Sequence, residues 1–216
     1  MLEGWEHRHR WSRDPITGKG ANGKYQTFVE WKKENVTPEA LKQLKINRNK
    51  KQDGEILKEY KSVIGKNTPS NLAEFQKLKY NGGRDWQLTK LDYQRRKSLI
   101  DNPDLKLPNA GKASIDNRKF TEYLFGGSNE KGLIKGRLIT NKLGYSLDNY
   151  GSLKNEILKR ATEYPSLLKY TDAHGSRYEQ KMIMYGPENK PVNIIAGWNV
   201  ENGKTHMSTI LIKEVK

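Results

Sequence analysis

The stretch VNIIAGWNVENGKTHMSTILI (residues 192–212) decides the fold. Asn202-Gly203 near its centre is the dipeptide that two-residue hairpin turns prefer, because both positions of such a turn need a positive φ. The β-branched and aromatic residues on either side predict strands at 192–199 and 206–212. A further strand is predicted at 178–185, ahead of the turn sequence GPENK. Together these segments predict an antiparallel meander.

Helical periodicity dominates the chain before this meander. Apolar residues recur at spacings of three and four, which predicts helices at 38–64, 72–79, 85–100 and 149–164, and one more that ends at Gly144. The predicted fold class is therefore α+β. A mainly helical, basic N-terminal region is followed by a small domain of helices packed on an antiparallel β-meander.

A domain boundary is predicted where turn-forming residues cluster. Pro103 and Pro108, each next to an asparagine, favour an extended backbone over helix or strand. We therefore predict three parts: a connector at 1–101, a linker at 102–112 and a C-terminal α+β domain at 113–216.

The composition predicts a polyanionic partner. The 216 residues include 40 Lys plus Arg and 25 Asp plus Glu, so the net charge is +15. Nucleic acid, either RNA or DNA, is the favoured partner, and a merely solvated basic surface is the alternative. The chain has no Cys, which excludes thiolate chemistry, and no run of about 18 apolar residues. We predict no membrane partner, no metal and no cofactor.

Several clusters of cations are candidates for contacts with nucleic acid. Some lie in the segment EHRHR near the start, some in the polar middle of the first predicted helix, and some in a run on the third. A run of cations on a helix is usually a solvated face, and that alternative stays open. The candidates are Arg8, Arg10, Lys50, Lys51, Arg95, Arg96 and Lys97.

The familiar nucleotide and metalloprotease motifs are missing, so acid/base chemistry is the remaining option for an enzyme. Cleavage of RNA without a metal needs a base for the 2′-OH, an acid for the 5′-oxygen and cations near the phosphate. The catalytic candidates are His206, Lys135, Arg177, Tyr178 and Ser208. The alternatives are that His206 is an ordinary exposed residue and that Lys135 is solvated, with no catalytic role for either.

Strand parity groups some of these candidates. His206 and Ser208 are two residues apart on one strand and share a face, while Met207 and Thr209 are predicted on the other. Tyr178 and Trp198 could line the first face, depending on the strand register. The alternative for Trp198 is a place in the core. His174 is a further candidate for acid/base chemistry, and its alternative is an ordinary turn residue.

Residues 55–110 resemble part of a phage protein family. The segment LAEFQKLKYN (residues 72–81), followed by Trp86, is similar to the region downstream of the head-morphogenesis domain in MuF-type phage minor head proteins. That family often continues into a variable C-terminal domain. The resemblance implies a location in the virion or the host cytoplasm, and phage portal or head proteins as partners.

The second half resembles an uncharacterised domain at the ends of bacterial polymorphic toxins. The resemblance is carried by three short motifs: KF at 119–120, YL at 123–124 and LGY at 143–145. The single residues that match are Gly132, Lys135, Gly175, Tyr178, Gly186, Trp198 and Thr209. Two positions depart from the pattern: a His of the family is Lys131 here, and an Ala is Gly136. A toxin implies a cognate immunity protein as partner.

The predicted layout is similar to that of the barnase, EndoU, colicin and RelE group of metal-independent RNases. The resemblance therefore implies a phage-associated or secreted toxin whose C-terminal domain is an RNase. Two other functions stay open. One is a non-enzymatic minor head or ejection protein that binds DNA, and the other is an interaction module that inhibits a host factor.

Overall fold

The structure is a computed structural model that describes residues 38–214. The chain divides into two compact units, residues 1–54 and residues 55–216. The α-helices of the described part are α1 (Pro38–Ile64), α2 (Leu72–Asn81), α3 (Arg84–Asp101), α4 (Glu130–Leu143) and α5 (Tyr150–Ala161). Every predicted helix is thus present. None of these helices combines the length and the apolar character that crossing a membrane requires.

Local side chains begin and end the helices. Asn71 accepts a hydrogen bond from the Glu74 amide at 3.0 Å, and Asn129 accepts one from the Gly132 amide at 2.9 Å. Both satisfy amides that have no partner in the first helical turn. Gly144, with φ 74°, ends α4 in the left-handed conformation that glycine adopts without strain. The predicted stop at Gly144 is confirmed.

The strands form one antiparallel sheet in the order β1-β2-β3-β4. They are β1 (Ser166–Asp172), β2 (Gly175–Tyr185), β3 (Pro191–Glu201) and β4 (Lys204–Ile212). The α+β fold and the meander are confirmed. Strand β1 was not predicted, because all of its residues after Ser166 are exposed and it shows no alternation of buried and exposed positions.

One face of the sheet packs against α4, α5 and a short π-helix (Lys119–Leu124). The even-numbered residues of β3 point to this core, and Trp198 at its end is fully buried. Gly136 of α4 permits the close packing, since a Cβ there would lie 1.7 Å from the Leu124 carbonyl oxygen. The helical residues of this core include Phe120, Leu124, Ile139, Leu143, Leu153 and Ile157.

Helix α3 packs against β2 and β3 and contributes a buried cluster of charged and phenolic groups. Asp92 is fully buried and accepts hydrogen bonds from Arg96 Nε at 2.7 Å, the Tyr185 hydroxyl at 2.7 Å, and the Tyr164 hydroxyl. Arg96 also bonds Glu163 at 2.7 Å. We call Asp92, Arg96, Arg160, Glu163, Tyr164 and Tyr185 the Asp92 network. It joins α3 to the sheet and to α5.

The segment predicted as a linker, 102–112, lies within the second compact unit. Leu107 and Ala110 are buried in the core. The Pro108 carbonyl accepts a hydrogen bond from the Thr205 hydroxyl at 2.6 Å, and Asn109 Nδ2 donates to the Gly203 carbonyl at 3.0 Å. Prolines and asparagines here shape two 3-10 turns that pack on the sheet. Whether residues 113–216 fold as an independent domain stays a prediction.

Candidate active site

A β-bulge in β4 shapes the candidate site. Gly197 pairs with Thr209, but the next residue, Trp198, pairs with Met207, so Ser208 is the extra residue. A Cβ at Gly197 would lie 2.9 Å from Ser208 Oγ and 3.0 Å from Thr209 Cγ2. The missing side chain at Gly197 therefore makes room for the bulge. Bulges of this kind redirect side chains at sheet edges and near active sites.

His206 lies just before this bulge, on the face of the sheet opposite the main core. It pairs with Asn199 of β3, and the Asn199 amide nitrogen lies 3.2 Å from His206 Nε2. On its other side β4 bonds to Ser114, whose amide donates to the Thr205 carbonyl at 2.9 Å. His206 Nδ1 has no hydrogen-bond partner among the described residues. The ring is thus held at Nε2. Asn199 Oδ1 is buried and has no partner among the described residues, and an amide turned by 180° would let it accept from Nε2–H and leave Nδ1 as the basic nitrogen.

An open groove of about 610 Å³ surrounds His206. We call it the His206 groove. Its sides come from β3, from β4 and from the segment that leads into the π-helix. The lining residues are Ser114, Ile115, Asp116, Lys119, Asn199, His206, Met207 and Ser208. A groove of this size, open to solvent, can admit part of a polymer chain.

Two lysines approach the bulge from the helices beside it. Lys119 Nζ donates to the Ser208 carbonyl at 2.7 Å. Lys135 Nζ, on α4, lies 3.3 Å from Thr209 Oγ1 and 5.6 Å from the centre of the Tyr123 ring. Among the described residues, neither lysine has a carboxylate within ion-pair distance. Two positive charges outside any ion pair favour an anion at this place, although the charge of Lys119 also contributes to the low pKa of Asp116.

Arg177 lies on the same face of the sheet. It pairs with Asn199, which pairs with His206, so the three residues form one row across β2, β3 and β4. Arg177 Nη1 donates to the His174 carbonyl at 3.3 Å. No carboxylate in the described part of the chain lies within ion-pair distance of Arg177 either. It adds a third cation that could hold a phosphate.

Asp116 is the acidic group of the groove, and it is bonded to Arg118 at 2.7 Å. Hydrogen bonds from the Arg118 side chain and amide lower the pKa of Asp116 to about 2. A carboxylate with so low a pKa is a weak base. His206 is therefore the better candidate for a general base in this groove.

Four of the five predicted catalytic residues lie on or reach one side of the sheet, although only His206 and Ser208 line the groove. His206, Ser208 and Arg177 share one face of the sheet, and Lys135 reaches the bulge from α4. Tyr178 is separated from them, because it pairs with Trp198 and packs against the main core on the opposite face. Its hydroxyl is therefore not placed for a role beside His206.

Strand parity was only partly a reliable guide. His206 and Ser208 share a face as predicted, and Met207 is buried on the other. Thr209 was predicted beside Met207, and that is wrong. The bulge shifts the alternation by one residue, so Thr209 shares the face of its partner Gly197. Trp198 as a core residue and His174 as a turn residue are confirmed.

The predicted nucleic-acid contacts divide into several groups. Arg8 and Arg10 lie outside the described residues. Lys50 and Lys51 are exposed on α1. Arg96 is buried in the Asp92 network, so a phosphate could reach it only by breaking that network. Of its neighbours in the run, Arg95 donates to Asn193 at 2.7 Å, and Lys97 pairs with Asp101.

Sequence reasoning did not single out Lys119 or Asn199 as functional. Lys119 lies 89 residues from the carbonyl that it bonds, so no local pattern marks it. Asn199 faces His206 because of the β3–β4 register. The Asn202-Gly203 turn predicts that hairpin, and counting back from the turn could have paired Asn199 with His206.

Of three comparisons with known proteins, one identifies a domain family in the C-terminal half. No curated protein matches the chain in sequence. A contact-dependent growth inhibition toxin–immunity protein complex from Klebsiella pneumoniae 342 contains a chain with 23% identity and a TM-score of 0.38. The match covers 46% of this chain and 98% of that one. A TM-score of 0.38 does not establish a shared fold. Residues 106–212, just under half of the chain, match the model of a family described as a domain of unknown function, DUF6883.

Proposed function

We propose that the C-terminal half of the chain is a toxin domain that cleaves RNA without a metal ion. The observation that carries the proposal is the position of His206 in a groove lined by Lys119, with Lys135 bonded at the adjoining bulge and Arg177 in the same row two strands away. None of these three cations forms an ion pair within the part of the chain that the structure describes. An imidazole and several cations around one groove are the groups that metal-free phosphodiester cleavage needs. The resemblance to the ends of polymorphic toxins supports the same function.

The reaction assigned to the groove is attack of a ribose 2′-oxygen on the neighbouring phosphorus. With the proton of the neutral ring on Nε2, His206 Nδ1 takes the 2′-OH proton as the bond from that oxygen to phosphorus forms. The bond from phosphorus to the 5′-oxygen then breaks, and a lysine ammonium supplies the proton to the leaving oxygen. Lys119 and Lys135 also offset the negative charge that develops on the phosphoryl oxygens.

The contact with Asn199 supports this role of His206. Histidine is the side chain whose ordinary titration lies closest to neutral pH, so it serves most often as a general base. A ring held at Nε2 presents its other nitrogen in one orientation. Asn199 is thus a positioning residue in the proposal, while His206 is the catalytic one.

The test is cleavage of purified tRNA or rRNA by the full chain. We expect His206→Ala to lower the rate by about 10²- to 10⁴-fold, the range for loss of a general base. His174→Ala is the matched control, because His174 is exposed in the β1–β2 turn and only its backbone makes hydrogen bonds, to Asp172 and Arg177. Cleavage that survives His206→Ala in a folded protein would overturn the assignment.

Exposed lysines of α1 favour a second function, DNA binding by the N-terminal half. Lys50 and Lys51 are both exposed, and the resemblance to minor head proteins covers residues 55–110. A head or ejection protein would bind DNA without sequence preference and with strong salt dependence. Lys50→Ala with Lys51→Ala should then reduce the salt slope of DNA binding. An unchanged slope argues against a role for α1.

The toxin proposal also implies a protein partner. A cell that carries an active RNase toxin needs a cognate immunity protein, and a basic groove suits an acidic inhibitor. The toxin would act in the bacterial host cytoplasm after delivery, in or with a phage virion. Growth arrest with RNA degradation after expression of the full chain, and no arrest with His206→Ala, is the expected outcome.

A further inference from the structure

The row that contains His206 and Arg177 extends further, to an exposed aromatic ring. Tyr170 of β1 pairs with Arg177, Arg177 pairs with Asn199, and Asn199 pairs with His206. Directly paired residues on antiparallel strands have their side chains on the same face. The row therefore runs Tyr170, Arg177, Asn199, His206 across all four strands, on the face opposite the main core.

The spacing of the row follows from sheet geometry. Neighbouring strands lie about 4.8 Å apart, so Arg177 is about 10 Å and Tyr170 about 15 Å from His206 along the row. Four-stranded sheets that bind single-stranded RNA stack two or three bases across their strands, so an oligonucleotide of roughly three residues fits this row. The row thus matches a short segment of a polymer that crosses the strands.

The chemistry of the row suits RNA that is not base-paired. Tyr170 is 57% exposed, and its ring and hydroxyl have no partner among the described residues. Exposed tyrosine rings can stack on bases, which present their faces only where the strand is unpaired. Arg177 lies between this ring and His206 and can hold a phosphate.

Acidic groups beside the row do not cancel its charge. Glu179, next to Arg177 on the same face, lies 3.8 Å from Lys181 Nζ. Asp116, at the His206 end, is bonded to Arg118. Two further exposed carboxylates share this face: Asp172, two residues after Tyr170, and Glu201, which pairs with Lys204. Arg177 and Lys119 form no ion pair with any of these four acids among the described residues, so both cations stay available to a phosphate.

We propose that this row is a track for single-stranded RNA, in which Tyr170 stacks on a base and Arg177 holds a phosphate between that base and the one cleaved at His206. The inference rests on the proposed function and specifies its substrate: unpaired RNA of at least about three nucleotides. Duplex RNA conceals its base faces and would lose the contact with Tyr170.

The exposed edge of β1 suggests a second possibility, in which a strand of another protein pairs with it. The β1–β2 register shifts between Leu168 and Tyr170, which leaves Lys169 as an unpaired bulge residue on the edge strand. A bulge and a lysine on an edge are two devices by which proteins prevent such pairing. The face of the sheet, more than its edge, is therefore the binding surface.

Binding is tested with the full chain carrying His206→Ala, so that the probe stays intact. The probe is a fluorescently labelled single-stranded RNA oligonucleotide long enough to cover the row. We expect Tyr170→Ala to weaken binding by about 5-fold or more, the lower end for loss of one stacked base. Tyr170→Phe keeps the ring and should bind normally. Tyr80→Ala, which removes a 58% exposed ring on α2, is the matched control.

Arg177→Ala adds a charge readout. We expect it to weaken binding and to reduce the slope of log affinity against log salt by about one phosphate contact. The double-stranded probe is the same oligonucleotide annealed to its complement. It should bind equally well to the His206→Ala chain with and without Tyr170→Ala. Equal effects of Tyr170→Ala on single and double strands would refute the track.

The track and the cleavage can fail separately. If Tyr170→Ala leaves single-strand binding unchanged while the wild-type chain still cleaves RNA, the track is wrong and the RNase assignment stands. If Tyr170→Ala weakens binding but the wild-type chain cleaves nothing, the track stands as a binding site and the RNase assignment fails.

Discussion

Two charged regions of the chain, the Asp92 network and the His206 groove, use their cations in opposite ways. In the network, Arg96 bonds two carboxylates, Asp92 and Glu163, at 2.7 Å each, and is buried. In the groove, Lys119 and Lys135 bond a carbonyl and a hydroxyl, and no described carboxylate pairs with them. Buried, paired charges hold helices to the sheet, while unpaired cations stay available to a ligand.

The net charge of +15 does not distinguish these two regions. What distinguishes them is the local balance of cations and acids, which depends on which helices and strands meet. Mutations in the network should therefore change stability, and mutations in the groove should change binding and cleavage. Each of the following predictions tests that division, from the largest expected effect to the smallest.

Asp92→Ala should cause the largest loss of stability. It leaves Arg96 and two tyrosine hydroxyls without their shared buried partner, and breaking a buried ion pair costs about 3–5 kcal/mol. Urea unfolding measures the loss. Asp101→Ala is the control on the same helix, because Asp101 is exposed and pairs only with Lys97. Equal losses for the two variants would show that the network does not stabilise the fold.

Lys119→Ala combined with Lys135→Ala should lower RNA cleavage by about 10- to 1000-fold, since each contributes positive charge near the developing charge. The urea midpoint should change little. Lys66→Ala combined with Lys90→Ala removes two exposed lysines away from the groove and the row and leaves cleavage near the wild-type rate. A loss of cleavage in both double variants would mean that total charge, and not the groove, controls activity.

High pH should weaken the network, and with it the stacked pair Tyr60 and Tyr93, whose pKa values are raised to about 12. Burial and the nearby Asp92 raise the pKa of both Tyr164 and Tyr185 above the ordinary value of 10.0. A raised pKa in the folded state means that stability is fully present below pH 10 and falls as the pH rises further. We expect a loss of roughly 1 kcal/mol per tyrosine at one pH unit above 10.

Tyr185→Phe is the variant that checks this pH dependence. It removes one of the two phenols, so urea unfolding measured above pH 10 should show a shallower decline than in the wild-type chain. Tyr170→Phe, at an exposed site, should leave the decline unchanged. If the stability of all three proteins falls with pH at the same slope, ionisation of the network tyrosines is not the cause of alkaline unfolding.

Lys97→Ala should have the smallest effect. Lys97 and Asp101 form an i,i+4 ion pair with both side chains partly exposed. Pairs of that kind contribute about 0.3–0.5 kcal/mol. Thermal unfolding should therefore shift only slightly, and RNA binding should not change. Weaker RNA binding by this variant would instead show that Lys97 contacts nucleic acid, as the run of cations predicts.

Much of the fold was predictable because it is encoded by local patterns. Apolar spacing located every α-helix of the described chain, and Asn202-Gly203 located the β3–β4 hairpin. Strand β1 escaped because its exposed residues show no alternation. The interior contacts of Leu107 and Ala110 were also unforeseen, since a stretch rich in proline and asparagine has the composition of a linker whether or not it packs.

The candidate site was predictable in its chemistry and less so in its geometry. Residue types pointed to His206, Lys135 and Arg177. His206 lines the groove, Arg177 stands in its row two strands away, and Lys135 bonds Thr209 beside the bulge. Tyr178 was assigned to the same group, but register places it on the other face. Arg96 was grouped with the solvent-facing cations, although a buried carboxylate four residues earlier in the helix binds it.

The amino-acid sequence by itself determined the fold class, the positions of the helices and the hairpin, and the excess of positive charge, because each depends on composition or on residues close in the chain. Only the tertiary structure decided which cations are neutralised and which remain available. Those pairings join residues as distant as Arg96 and Glu163, or Lys119 and Ser208. A one-residue bulge in β4 also turns Thr209 to the face of His206, because a sheet alternates its side chains with a period of two.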